Sequence, residues 1–136
     1  MEYVLDTSVA VAWYLPEVFA QSARTWQRGM LNESVTLFVP GLHYWEFANV
    51  LRTYVLRNEF QDTLAEDIFA LHLDAPLVAM EPRRNAIPGT ALEFGATVYD
   101  ALYIAMCLEH DMRLLTAERT TTPWVAKLAD RVEIVR

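Results

Sequence analysis

At 136 residues the chain has the length of one domain, and a composition of 54% hydrophobic and 21% charged residues excludes disorder and supports a real core. A net charge of −7 argues against a simple basic nucleic-acid binder, but not against a nuclease whose acids gather around cations. No apolar run approaches the roughly 20 residues that a membrane span needs, the first residues do not read as a signal peptide, and the one cysteine, Cys107, has no partner within the chain. A reducing cytoplasm is the expected compartment.

Tyr3-Val4-Leu5 reads as a short strand buried on both faces, as in a parallel sheet. Asp6 follows at once, then the helix-starting hydroxyls Thr7 and Ser8. Val9 to Leu15 is predicted as the first helix, stopped near Pro16, and Glu17 to Met30 as an amphipathic second one. Val35 to Val39 is the clearest strand, closed by Pro40-Gly41. A long helix is expected over Leu42–Arg57 with a core stripe of Leu42, Trp45, Ala48, Leu51 and Val55, widened by Phe47 and Tyr54. Glu46 sits beside that stripe.

Gln61 to Leu73 resumes a helical pattern through Leu64, Ile68, Leu71 and His72, and Leu77 to Met80 is a candidate short strand. Asn85 to Phe94 looks helical, with its first half interrupted by Pro88-Gly89 and a stop at Gly95. Thr97 to Asp100 opens a helix whose run from Ala101 to Leu108 is apolar all round, which implies packing on more than one side. Arg113 to Thr116 reads as a strand, Trp124 to Ala129 as a short helix, and Val132 to Val135 as a last strand. Strands alternating with helices predict a single α/β domain over 1–136, a mostly parallel sheet of four or five strands with helices on both faces.

Four acids fall at equivalent places in that scheme. Asp6 and Glu118 each follow a strand, Glu46 is one turn into the helix after the second strand, and Asp100 is in the first turn of the buried helix. In an open α/β sheet these positions converge on the crevice at the carboxyl ends of the strands. Two carboxylates 4 Å apart repel by roughly 4 kcal/mol at an effective dielectric of 20, so a cluster of four needs protons or a cation. Oxygen ligands, with no Cys/His pair at zinc spacing, point to Mg²⁺ or Mn²⁺ and to phosphoryl chemistry. Each acid also has a structural role open to it. Asp6 caps a helix, Glu46 is a solvated helix residue, Thr97 and Asp100 form a near capping box, and Glu118 lies near a helix start.

The pieces Tyr3-Val4-Leu5-Asp6-Thr7-Ser8, Val39-Pro40 with Glu46 and Asn49, Val98-Tyr99-Asp100-Ala101-Leu102-Tyr103, and Leu114-Leu115-Thr116-Ala117 together resemble a PIN-domain ribonuclease, of the VapC toxin type. The resemblance covers nearly the whole chain in the right order. It implies a PIN-like three-layer fold and a Mg²⁺- or Mn²⁺-dependent endoribonuclease, a homodimer restrained by a VapB-like antitoxin. Its substrate would be tRNA, rRNA or mRNA, cut to leave a 3′-hydroxyl and a 5′-phosphate. By the same resemblance Asp6, Glu46 and Asp100 match the principal acids and metal ligands, and Ser8 the small polar residue that orients a water. Asn49 matches a frequent polar neighbour, and Thr116 supports the edge by hydrogen bonding. Glu118 departs from the pattern, since the family usually has Asp after Thr-Ala, and a second metal position is affected most.

His43, His72 and His110 are not spaced as a metal set, and His43 is expected at the surface. The tryptophans are expected to pack, and Trp13, Tyr14 and Phe19 to line a groove for an antitoxin helix. Two competing readings are a non-cutting PIN-like module that binds RNA or a partner, and a haloacid dehalogenase-type phosphohydrolase. The latter wants a second acid two residues after Asp6, where this chain has Ser8.

Overall fold

The computed structural model describes all 136 residues. Five strands, β1 (Glu2–Leu5), β2 (Thr36–Val39), β3 (Val78–Ala79), β4 (Arg113–Thr116) and β5 (Val132–Ile134), form one sheet in the order β3-β2-β1-β4-β5, parallel throughout. Seven helices connect them: α1 (Thr7–Val11), α2 (Ala20–Leu31), α3 (Leu42–Leu56), α4 (Asp62–Leu73), α5 (Ile87–Phe94), α6 (Val98–His110) and α7 (Pro123–Leu128).

The period of two along each strand divides the core. Tyr3, Leu5, Leu37 and Val39 point to the face covered by α1, α2 and α3, while Val4, Phe38 and Leu114 point to the face covered by α6 and α7. Val4 is paired with Phe38 on one side and Leu114 on the other, so β1 is the centre of the sheet. Burying an aliphatic side chain of this kind contributes about 1.5–3 kcal/mol. The chain runs outward from β1 through β2 to β3, then crosses back to β4 on the other side of β1. The crevice beside that reversal, at the carboxyl ends of β1 and β4, is where side chains from separate connections meet.

Gly95 turns the chain with φ of +60°, and Asp111 ends α6 at φ of 52°. Thr97 caps α6, its hydroxyl oxygen accepting from the Asp100 amide at 3.1 Å. No single helix is long and apolar enough to cross a membrane.

Four expectations are corrected. The first helix ends at Val11 and passes into turns before Pro16, instead of running to Leu15. The inward stripe of α3 is His43, Phe47 and Leu51, spaced by four, which rotates Trp45 out to 70% exposure. His43 is not at the surface: the fold buries it together with His72, because each ring finds a partner inside. Trp13 is 5% exposed with its Nε1–H donated to the Ala23 carbonyl, and Tyr14 and Phe19 pack against the same core, so these residues do not line an open groove. An apolar trough of about 350 Å³ lies instead between α3 and α4, lined by Leu51, Val55, Leu56, Ala65 and Phe69 and edged by Arg52 and Glu66.

Candidate active site

Asp6 leaves β1 with extended backbone angles, its amide donating to the Leu115 carbonyl at 2.9 Å. Its side chain turns toward β4. Oδ2 accepts from the Thr116 hydroxyl at 2.6 Å and from the Ser8 hydroxyl at 3.0 Å, while Oδ1 has no hydrogen bond. Ser8 is itself held, its Oγ accepting from the Ala117 amide at 3.1 Å. Thr116 Oγ1 accepts from the Glu118 amide at 3.0 Å, which draws the residue after β4 into the same edge.

Glu46 enters from α3 and is arranged in the same way. Its Oε1 accepts from the Tyr103 hydroxyl at 2.5 Å and the Thr7 hydroxyl at 3.0 Å, and its Oε2 has no hydrogen bond. Each carboxylate thus has one oxygen saturated by two hydroxyls and the other left open.

Burial lifts the Asp6 carboxyl to about 6, against the pull of the Thr116 and Ser8 hydroxyls and with a further push from Glu46 and Asp100. Asp100 is raised by burial too, then by the charges of Glu46 and Glu118, opposed by Thr97 and Trp124. Those mutual repulsions place all four acids in one electrostatic neighbourhood. As the side chains stand, no three His, Cys, Asp or Glu groups close on a common point at metal-ligating spacing.

The PIN domain family matches residues 3–120. This chain belongs to the PIN domain family. Over 123 residues, 88% of this chain and 91% of the relative, it is 27% identical to "Ribonuclease VapC3" of Pyrobaculum aerophilum. Its fold is similar to the crystal structure of PAE2754 from Pyrobaculum aerophilum, with a TM-score of 0.71 and 20% identity, covering 99% of this chain and 91% of the other.

Of the residues singled out in this PIN domain, Asp6, Ser8, Thr116 and Glu118 are brought together at the β1–β4 edge, and Glu46 and Asp100 face them from α3 and α6. Asn49 is exposed one turn beyond Glu46, and its side chain makes no hydrogen bond. It lines a shallow pocket with Leu42, Trp45, Glu46 and Tyr99, in which Trp45 and Tyr99 are 70% and 61% exposed. From the sequence, Thr7 reads only as a helix-starting hydroxyl, Tyr103 only as part of a motif and His43 as a surface residue, and none of them is tied to Glu46. The signals were there: Thr7 adjoins Asp6, Tyr103 is one turn past Asp100, and His43 is one turn before Glu46.

The donor set fits a hard divalent cation by its chemistry. The ligand atoms available are carboxylate oxygens, and in both Asp6 and Glu46 hydroxyl donors fix one oxygen and leave the second free.

Proposed function

We propose that this PIN domain is a metal-dependent endoribonuclease, the toxin of a VapBC-type pair. The observation that carries the reading is the matched pair of half-saturated carboxylates, Asp6 and Glu46, in a site where burial, with a further push from Glu46 and Asp100, raises the Asp6 carboxyl. Asp6, Glu46 and Asp100 would hold Mg²⁺ or Mn²⁺, with Glu118 assisting directly or through water. Such an ion supplies charge neutralisation for a phosphodiester and Lewis acidity toward a water.

The protein's own part is positioning. Ser8 and Thr116 donate to Asp6 Oδ2, turning Oδ1 to the crevice, and Thr7 and Tyr103 do the same for Glu46 Oε1. Thr97 anchors the first turn of α6 and with it Asp100. The exposed Trp45 and Tyr99 rings flank Glu46 at the mouth, where the bases of an RNA strand would stack. The trough between α3 and α4 would take the apolar face of a VapB-like antitoxin helix, with Arg52 and Glu66 at its rim. The chain would act in the cytoplasm, as a homodimer.

One observation favours a second reading, an RNA- or partner-binding PIN module that does not cut: the acids are not closed to ligating spacing. One experiment separates the two. Purified chain is incubated with total RNA in Mg²⁺, in Mn²⁺ and in chelator, and the ends are mapped by sequencing. Cleavage leaving 5′-phosphate and 3′-hydroxyl ends, lost in chelator and in Asp100→Asn, supports the nuclease. Binding without cleavage in either metal supports the module.

A further inference from the structure

Behind Glu46 runs a line of polar side chains that the cleavage chemistry does not use. His43 and His72 are each 0% exposed, with their Nε2 atoms 2.8 Å apart. His43 Nδ1 is 3.1 Å from Thr7 Oγ1, and His72 Nδ1 is 3.0 Å from the Tyr14 hydroxyl. Trp13, Tyr14, Tyr44 and Phe47 wall the His72 ring, with Phe47 stacked on it at 4.1 Å between centroids. No carboxylate or cation hydrogen-bonds either imidazole, and burial holds both neutral, His43 down to about 3 and His72 down to about 4.

A neutral imidazole has one N–H and one bare nitrogen, so the direction of every bond in this line is fixed by any one of them. The bond that fixes it is at Glu46. Tyr103 gives its only proton to Glu46 Oε1 at 2.5 Å. The Thr7 proton can go to Glu46 Oε1 at 3.0 Å, to Tyr103 at 2.9 Å or to His43 at 3.1 Å. A hydrogen bond to a carboxylate is roughly twice as strong as one between neutral groups, so the carboxylate takes it. Thr7 then has only lone pairs to offer His43. His43 must donate from Nδ1 and accept at Nε2, and His72 must donate from Nε2 and accept from Tyr14 at Nδ1.

We propose that His43 and His72 are positioning residues for Glu46: as the Nδ1–H and Nε2–H tautomers respectively, they relay donation from Tyr14 through His72, His43 and Thr7, committing the Thr7 proton to Oε1 and leaving Oε2 open. The use of Oε2 as a ligand rests on the nuclease reading above; the tautomers do not. The reversed line also satisfies every group, but it takes the Thr7 proton away from Glu46. The two tautomers therefore carry the meaning of the pair.

The test is long-range ¹H–¹⁵N correlation NMR of the metal-free full chain labelled in histidine, with exposed His110 as internal reference. Nδ1–H at His43 and Nε2–H at His72 are expected; the opposite pair overturns the relay, whatever the activity. Mn²⁺ affinity by electron paramagnetic resonance is the second readout. His43→Leu keeps the apolar volume but cannot donate and should weaken Mn²⁺ roughly tenfold, the low end for an outer-shell partner. His43→Gln can donate to Thr7 and accept from His72, and should recover most of that loss. Equal Mn²⁺ affinity in folded His43→Leu and wild type would reduce the pair to core packing. If no Mn²⁺ binds to wild type, the nuclease reading fails, and the tautomers still decide the relay.

Discussion

Thr116 donates its hydroxyl to Asp6 Oδ2 at 2.6 Å, tying the ends of two neighbouring parallel strands across 110 residues of chain. Thr116 Oγ1 in turn accepts from the Glu118 amide, so one buried hydroxyl orients one acid and sets the backbone of another. Thr116→Val keeps the shape and removes both bonds. Metal affinity is expected to fall roughly 10- to 100-fold, as for other outer-shell partners, with a loss of about 1–3 kcal/mol in stability from the unpaired Glu118 amide and an Asp6 Oδ2 left with Ser8 alone. Isothermal titration with Mn²⁺ and a denaturant melt measure the two effects. Unchanged affinity would remove Asp6 from the ligand set.

Asp6 itself is held at a thermodynamic loss. Its carboxyl is raised from 3.8 to about 6, so its contribution to stability is complete below pH 3.8 and declines as pH rises through 6. Above that window the charged form is disfavoured by up to roughly 3 kcal/mol relative to the unfolded chain. Asp6→Asn should therefore abolish cleavage and yet melt higher than wild type at pH 8 without metal. At pH 4 the two should melt together. A variant less stable at both pH values would contradict the charge argument.

The buried histidines act with the opposite sign. Their folded values, about 3 for His43 and about 4 for His72, lie below the ordinary 6.5, burial being the main cause in both. The unfolded chain takes these protons first, so stability is intact above pH 6.5 and falls as pH drops toward 4. Over that range the loss from the two rings exceeds the gain from protonating Asp6, because their displacement is larger. Urea midpoints measured from pH 7 to pH 4 should fall, and His72→Phe should flatten the decline. A midpoint independent of pH would mean that the rings are already charged or open to water.

What the sequence made legible follows from which forces act locally. The strands β1, β2 and β4, the cap at Thr97 and the stop at Gly95 rest on short-range patterning and on backbone angles, and the structure has them in place. The shared edge of the acids followed from topology alone. The rotation of α3 did not, because apolarity favours Trp45 over His43 as a core residue. The pairing of His43 with His72, 29 residues away on a different helix, together with the Thr7 hydroxyl, is what makes the buried imidazole tolerable. The hydroxyls of Thr7 and Tyr103 were missed for a related reason: a hydroxyl's role depends on the acid that the fold brings to it, here 39 and 57 residues away.

The same rotation of α3 that buries His43 turns Trp45 outward beside Glu46, near the exposed Tyr99. Large exposed rings at the mouth of a charged crevice suit base stacking, worth roughly 1–3 kcal/mol per base. Trp45→Ala should raise KM for RNA about tenfold or more while leaving kcat within a few-fold, and should leave the melting temperature near that of wild type because little burial is lost. Steady-state cleavage of a fluorescent oligoribonucleotide gives the split. A fall in kcat at constant KM would place the ring in orienting Glu46, not in holding substrate.

Glu118 is the residue where this chain departs from the usual pattern, and its charge helps raise Asp100. Its amide is fixed by Thr116, but its carboxylate has no hydrogen bond and carries one methylene more than Asp. The side chain can therefore reach the crevice or leave it. If its charge points at Asp100 in solution, Glu118→Gln lowers the Asp100 midpoint toward 3.8 in the metal-free protein, which carboxyl ¹³C titration follows site by site. Glu118→Asp shortens the reach while keeping the charge, so Asp100 should move less than with Gln. Mn²⁺ affinity should drop only a few-fold with Gln, against loss of binding with Asp100→Asn, because three other acids remain. An Asp100 midpoint indifferent to both substitutions would show that Glu118 points away, and the site would then be built on Asp6, Glu46 and Asp100 alone.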